Sequence, residues 1–196
     1  MYHYEERFRT RYNSARNHRI KWIVVHYTGT AASAINNARV LEKELKDPRS
    51  THYFVDGDYV LAVVPESRAA WHIGSPDKPD TPPEKRKKIP VFNGNAIGVD
   101  LCEDKLVYDS KHKSASDRDW YFTDETEATA AELIAQIMRR YDIPLDHVVR
   151  HFDVTGKLCP RPFVGDDQNV VYKETGNKRW RSFLALIKEH LNGVDV

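Results

Sequence analysis

The sequence predicts an α/β fold, a mixed central β-sheet flanked by helices, and three observations carry that reading. Apolar runs typical of buried strands alternate with segments of helical periodicity, one tight hairpin interrupts the alternation, and two strong amphipathic helices fill the second half. A purely parallel, doubly wound sheet would not accommodate the hairpin. With 196 residues and 40% apolar content, one domain over 1–196 with its core at about 20–191 is expected, and no internal repeat is evident.

The elements follow in order. Ile20 to Tyr27 (IKWIVVHY) is too continuously β-branched and aromatic to be half exposed, so it reads as a central strand delivering His26 at its C-terminal end. Ile35, Val40, Leu41 and Leu45 then recur at near-helical spacing, predicting a helix over 34–46 stopped at Asp47-Pro48. Residues 52–55 and 59–64 form two strands around the glycine turn Asp56-Gly57-Asp58. Five of the ten prolines fall between positions 76 and 90 beside a basic run, Lys85 to Lys88, and predict an exposed loop.

Ala96 to Cys102 reads as another strand, and residues 103–122 as a polar loop. Thr123 or Asp124 caps a helix whose inner face carries Ala130, Ile134, Ile137, Met138 and Tyr141. Val148-Val149 is a short strand leading into a loop over 150–162. Trp180, Phe183, Leu184, Ile187 and Leu191 mark a last helix ending at Asn192-Gly193.

Charge excludes some functions. Thirty basic against 29 acidic side chains leave a formal charge of +1, which does not suit a nucleic-acid binder. Arg7, Arg9, Arg11, Arg16, Arg19 and Lys21 crowd the N-terminal stretch; this reads as solvated surface, with attraction to an anionic wall as the functional alternative. No apolar run approaches the roughly 18 residues of a membrane span, and the first residues lack a signal-peptide core. A soluble chain made in the cytoplasm, with no membrane insertion and monomeric, is the expectation. Cys102 and Cys159 in such a chain are poor evidence for a disulfide and leave each thiol for packing or metal.

Nine histidines must be weighed by position and company. If residues 147–151 were helical, His147 and His151 would share a face as a metal-binding pair. The intervening valines favour an extended chain, which separates the two rings by roughly 13 Å, too far for one ion. Only one of them should ligate. His151 and Cys159 bracket a glycine-containing loop long enough to fold back, so an imidazole and a thiolate can converge on a borderline-soft ion such as zinc. The alternative is an accessible histidine and a packed cysteine.

Five segments, in order, carry a resemblance: Ile23-Val24-Val25-His26-Tyr27-Thr28, Thr51-His52-Tyr53-Phe54-Val55, Ala70-Trp71-His72-Ile73-Gly74, Asn95 to Glu103 (NAIGVDLCE) and Arg150 to Pro160 (RHFDVTGKLCP). Together they resemble the type 2 N-acetylmuramoyl-L-alanine amidases, particularly phage endolysins and prophage autolysins, which are similar in fold to peptidoglycan recognition proteins. The resemblance implies one zinc ion per chain on His26, His151 and Cys159, leaving a fourth position for water as a catalytic site requires. It implies bacterial peptidoglycan as partner and hydrolysis of the bond between the lactyl group of N-acetylmuramic acid and L-alanine. Lys157 matches the family's oxyanion-stabilising cation, and Trp71 and His72 its substrate-binding cleft wall. Asp100 stands where many relatives carry a glutamate base, one methylene shorter. Glu103 is the rival base, although strand alternation should turn it away. His52 is expected to be mostly structural.

An endolysin of this kind would accumulate in the host cytoplasm and act on the wall after release through a separate pore. No cell-wall-binding domain is evident. The competing reading from another class is a non-catalytic recognition module that keeps the groove and loses the metal, usually through replacement of the cysteine; here Cys159 is present. An unrelated zinc peptidase would need another ligand layout, such as His-Glu-x-x-His, which does not occur.

Overall fold

Ile23, Val24 and Val25 are completely buried, as are Ile97 and Val99, and these two runs form the middle of the sheet. The computed structural model describes residues 1–74, 89–106, 114 and 117–193. Its strands are β1 (His3–Glu6), β2 (Asn13–Ala15), β3 (Trp22–Tyr27), β4 (Tyr53–Asp56), β5 (Tyr59–Ala62), β6 (Arg68–Ala70), β7 (Ala96–Leu101), β8 (Asp104–Lys105), β9 (Trp120–Tyr121) and β10 (Val148–Arg150). Its helices are α1 (Ala34–Leu41), α2 (Asp124–Tyr141), the short α3 (His151–Thr155) and α4 (Gly176–Asn192).

Six strands make one mixed sheet in the order β1-β5-β4-β7-β3-β10. Only β4 and β5 run antiparallel, as the hairpin predicts; β1 on β5, β4 on β7, β7 on β3 and β3 on β10 are parallel. The hairpin turns on Gly57 and Asp58, with Gly57 at a φ of 59° that a side chain would disfavour.

Alternation along β3 assigns the two faces. Ile23, Val25 and Tyr27, with Ile97, Val99 and Leu101, join the main core under α2 and α4, whose Ala130, Ile134, Ile137, Phe183 and Ile187 are buried against it. The expected inner face of α2 is therefore present, and Thr123 caps the helix by accepting from the Thr126 N–H at 3.1 Å. The opposite face carries Val24, Gly98, His26 and Asp100, and it is left for the site.

Three expectations are corrected. The helix expected over 34–46 ends at Leu41, because the Tyr12 hydroxyl donates to the Lys43 carbonyl (3.0 Å) and accepts from the Leu45 N–H (2.7 Å), taking groups the helix would need. In the basic N-terminal stretch Arg9, Arg11, Arg19 and Lys21 are exposed as solvated surface, but Arg16 is not. Arg16 reaches inward, its guanidinium donating to the carbonyls of Glu66, Gly94, Arg68 and Ala96 at 2.8 to 3.2 Å. The loop expected over 150–162 contains α3, and β8 and β9 pair within the stretch read as loop. The proline-rich loop of 76–90 falls largely outside the described residues.

Candidate metal centre

Strand β3 ends with His26 facing away from the main core, and β10 ends where His151 begins α3 on the neighbouring strand. Arg150, just before His151, is anchored by a two-pronged bond to Asp153 (2.9 and 2.8 Å) and by donation to the Phe163 carbonyl. After α3 the chain turns at Gly156 and folds back until the Cys159 carbonyl accepts from the Phe152 N–H at 2.8 Å. That closure sets the Cys159 thiol beside His151.

The three side chains converge. His26 Nδ1 lies 3.1 Å from His151 Nδ1 and 3.7 Å from Cys159 Sγ, and the three donor atoms lie within 4.8 Å of one another. Tetrahedral zinc with bonds near 2.0 Å to nitrogen and 2.3 Å to sulfur needs donors roughly 3.3 to 3.6 Å apart, so the spacing fits. His26, His151 and Cys159 are all buried, at 4%, 6% and 2% exposure. Burial drives His26 well below its usual range and His151 down to about 4, assisted in His151 by the nearby Lys157 charge. Both imidazoles are therefore neutral and offer lone pairs. Burial pushes the Cys159 thiol up to about 12, so a thiolate there calls for a neighbouring cation. Two neutral imidazoles and one thiolate form a donor set suited to zinc.

His147 is elsewhere, stacked on Trp22 at 3.9 Å and bonded through Nδ1 to the Lys21 carbonyl, so only one of the two histidines joins the cluster, as extension of the chain predicts.

A cleft of about 200 Å³ opens over the cluster, and Asp100, Lys157, Trp71 and His72 all line it. Asp100 pairs in register with His26 across β7 and β3. Its Oδ1 is buried with no bonding partner among the described residues, and burial pushes the carboxyl up to about 7 against the weaker pull of the Lys157 charge. Lys157 stands exposed at the rim.

Glu103 lies beyond the end of β7 and turns elsewhere. Its carboxylate accepts from the N–H groups of Thr28 (2.9 Å) and Thr30 (2.7 Å) and from the Thr28 hydroxyl (3.0 Å), pinning the loop that leaves β3. Burial raises its pKa to about 8 while those donors pull the other way. His52 is fully buried, accepting from the Gly98 N–H at 2.9 Å, a structural position. Trp71 is half-buried, and its backbone N–H donates to the Ser50 hydroxyl (2.9 Å). His72 sits behind His26, its Nδ1 2.9 Å from His26 Nε2.

Asn93 belongs to this neighbourhood and has no sequence signature. Its side-chain oxygen accepts from the backbone N–H groups of His72 and Ile73, which nothing in the Asn93-Gly94-Asn95 turn foretells.

The N-acetylmuramoyl-L-alanine amidase family profile matches residues 16–162. The N-acetylmuramoyl-L-alanine amidase CwlL of Bacillus licheniformis is 33% identical over 157 residues, 77% of this chain and 39% of that protein. XlyB of Bacillus subtilis is 28% identical over 88% of this chain and 44% of its own length. The chain thus spans about two fifths of the length of such relatives. Among solved structures, a mutant endolysin from Bacillus subtilis superposes with a TM-score of 0.66 at 24% identity, covering 95% of this chain and 99% of that one. The catalytic domain of XlyA gives 0.62 at 24% identity over 94% and 98%. At such identities the likeness is one of fold.

Proposed function

The chain belongs to the N-acetylmuramoyl-L-alanine amidase family, and from that premise we propose that it is a zinc-dependent hydrolase of peptidoglycan. It cuts the amide between the lactyl group of N-acetylmuramic acid and the L-alanine of the stem peptide, as a phage or prophage endolysin acting as a monomer. The single observation that carries this reading is the convergence of His26 Nδ1, His151 Nδ1 and Cys159 Sγ beneath an open cleft. The same convergence speaks against a recognition module without metal, which would have no need of a buried thiol between two neutral imidazoles.

Bound on these three donors, zinc would supply a Lewis acid and a water acidified towards neutrality. The chain's own groups do the rest. Asp100, buried in the cleft with one carboxylate oxygen left without a partner among the described residues, suits a group that takes a proton from the attacking water and returns it to the leaving amine. Lys157 at the rim offers a cation to the oxyanion that develops on the scissile carbonyl. Trp71 offers an apolar wall for the sugar or peptide. Among the described residues no helix is long and apolar enough to cross a membrane.

The test is digestion of purified cell wall with analysis of the new ends by mass spectrometry. Free N-termini on L-alanine together with glycan strands that gain no new reducing ends are expected. New reducing sugars, or cleavage within the stem peptide, would refute the amidase reading.

A further inference from the structure

In a ring that gives one nitrogen to a metal, the other nitrogen fixes orientation and tautomer through whatever it bonds to. His26 and His151 both show Nδ1 to the cluster, so their Nε2 atoms hold that role, and two consecutive residues meet them. His26 Nε2 lies 2.9 Å from His72 Nδ1, and His151 Nε2 lies 3.1 Å from the Ile73 carbonyl oxygen. The backbone N–H groups of these same two residues both donate to Asn93 Oδ1, at 3.1 and 2.9 Å.

The seat of the His72 ring is equally specific. It lies over Gly98, where an added Cβ would come within 2.8 Å of two ring atoms, and its edge meets the buried His52 ring at 5.7 Å. A side chain at position 98 would therefore displace the ring from His26.

We propose that the dipeptide His72-Ile73, clamped by Asn93, is the orienting element of the metal centre and sets the tautomer and aim of both ligand imidazoles; this rests on reading His26, His151 and Cys159 as zinc ligands. A carbonyl only accepts, so His151 Nε2 carries the proton and Nδ1 the lone pair. With His26 Nδ1 as a donor to metal, His26 Nε2 carries the proton and His72 Nδ1 accepts it. His72 and Asn93 are positioning residues: each acts through a ligand histidine. The role of His72 in this scheme is to hold His26, with substrate contact left to Trp71.

The test is zinc affinity, measured on the full chain by competition with a chromophoric chelator, with thermal melting of the metal-free protein alongside. His72→Leu and Asn93→Leu should each weaken zinc by roughly 10- to 100-fold, the usual cost of losing such a partner. His72→Asn places an amide oxygen where Nδ1 stood and should recover most of the affinity, and Asn93→Asp should do the same by keeping the acceptor. Cobalt-substituted protein should show an altered visible spectrum in the leucine variants and a restored one in the rescuing pair. Should His72→Leu fail to fold, the Asn93 pair decides. Unchanged zinc affinity in all variants, or losses that track melting temperature with no rescue, overturns the inference and leaves the metal reading intact. Failure of the unaltered chain to bind zinc stoichiometrically overturns both.

Discussion

His26 and Asp100 face each other in register across the parallel strands β3 and β7, on the side of the sheet away from the main core. A proposed ligand and a proposed acid-base group are thereby delivered to one cleft by strand pairing alone, while Glu103, past the end of β7, is held by the loop that follows β3.

That arrangement separates the two carboxylates by experiment. Asp100→Asn should keep fold and metal and lose roughly 10²- to 10⁴-fold in rate, the usual contribution of a general acid-base group. Asp100→Glu keeps a carboxylate on a side chain one methylene longer and should be at least partly active. Glu103→Gln swaps an acceptor of three donors for an amide, so about 1 to 3 kcal/mol of stability should go, with turnover per folded molecule far less affected. Loss of turnover in well-folded Glu103→Gln with full activity in Asp100→Asn would reverse the assignment.

Lys157→Ala should leave the zinc content unchanged and lower kcat by roughly 10²- to 10³-fold, as removal of one oxyanion donor does. KM should move much less. Steady-state kinetics on soluble wall fragments distinguish the roles, because a rise in KM at constant kcat would make Lys157 a binding residue.

Cys159→Ser replaces a thiolate ligand with a hydroxyl that stays protonated, so most of the zinc and most of the activity should be lost together. Chelation should silence the unaltered chain, and added zinc should restore it. Elemental analysis across the two proteins checks the first claim. A serine variant with full metal content and rate would remove Cys159 from the centre.

Much of this was legible in the sequence because strand periodicity and local bonds decide it. Continuous apolar runs gave the positions of β3 and β7, and helical spacing gave α2 and α4. The extended Val148-Val149 pair correctly separated His147 from His151. What escaped depends on contacts distant along the chain. The hydroxyl of Tyr12 cuts α1 short from 31 residues away, and Arg16 finds its carbonyl partners 50 to 80 residues on. Asn93 likewise acts on backbone groups at 72 and 73, so no local pattern marks it. The short α3 was missed because five residues are too few for periodicity to register.

The last prediction concerns acid. An imidazole in an unfolded chain titrates near 6.5, whereas His52 in the fold is pushed down to about 3, first by burial and second by the charge of Arg16. Its surroundings explain the direction. The Gly98 N–H donates to Nδ1, the Arg68 carbonyl stands 3.1 Å from Nε2, the Arg16 guanidinium lies 2.8 Å from that same nitrogen, and the His72 ring covers one side. A second proton on the ring would face the Gly98 donor. Between about pH 3 and 6.5 the unfolded chain therefore binds one more proton at this residue than the folded chain. The stability this site contributes is complete above pH 6.5 and falls as the pH drops towards 3, by at most about 1.4 kcal/mol per pH unit. His26, His72 and His151 are lowered in the same direction, whereas the buried carboxyls Asp100, Glu103 and Glu127 are raised and bind protons in the folded chain over much of the same range, so the two sets oppose each other and the His52 contribution is read from the difference between two chains. His52→Asn keeps an acceptor for the Gly98 N–H and removes one titrating ring. Urea unfolding from pH 7 to 4.5 should show a rise of stability with pH that is smaller, by up to one proton, in that variant than in the unaltered chain. If the two slopes superimpose, His52 titrates alike in both states and burial is not what lowers its pKa.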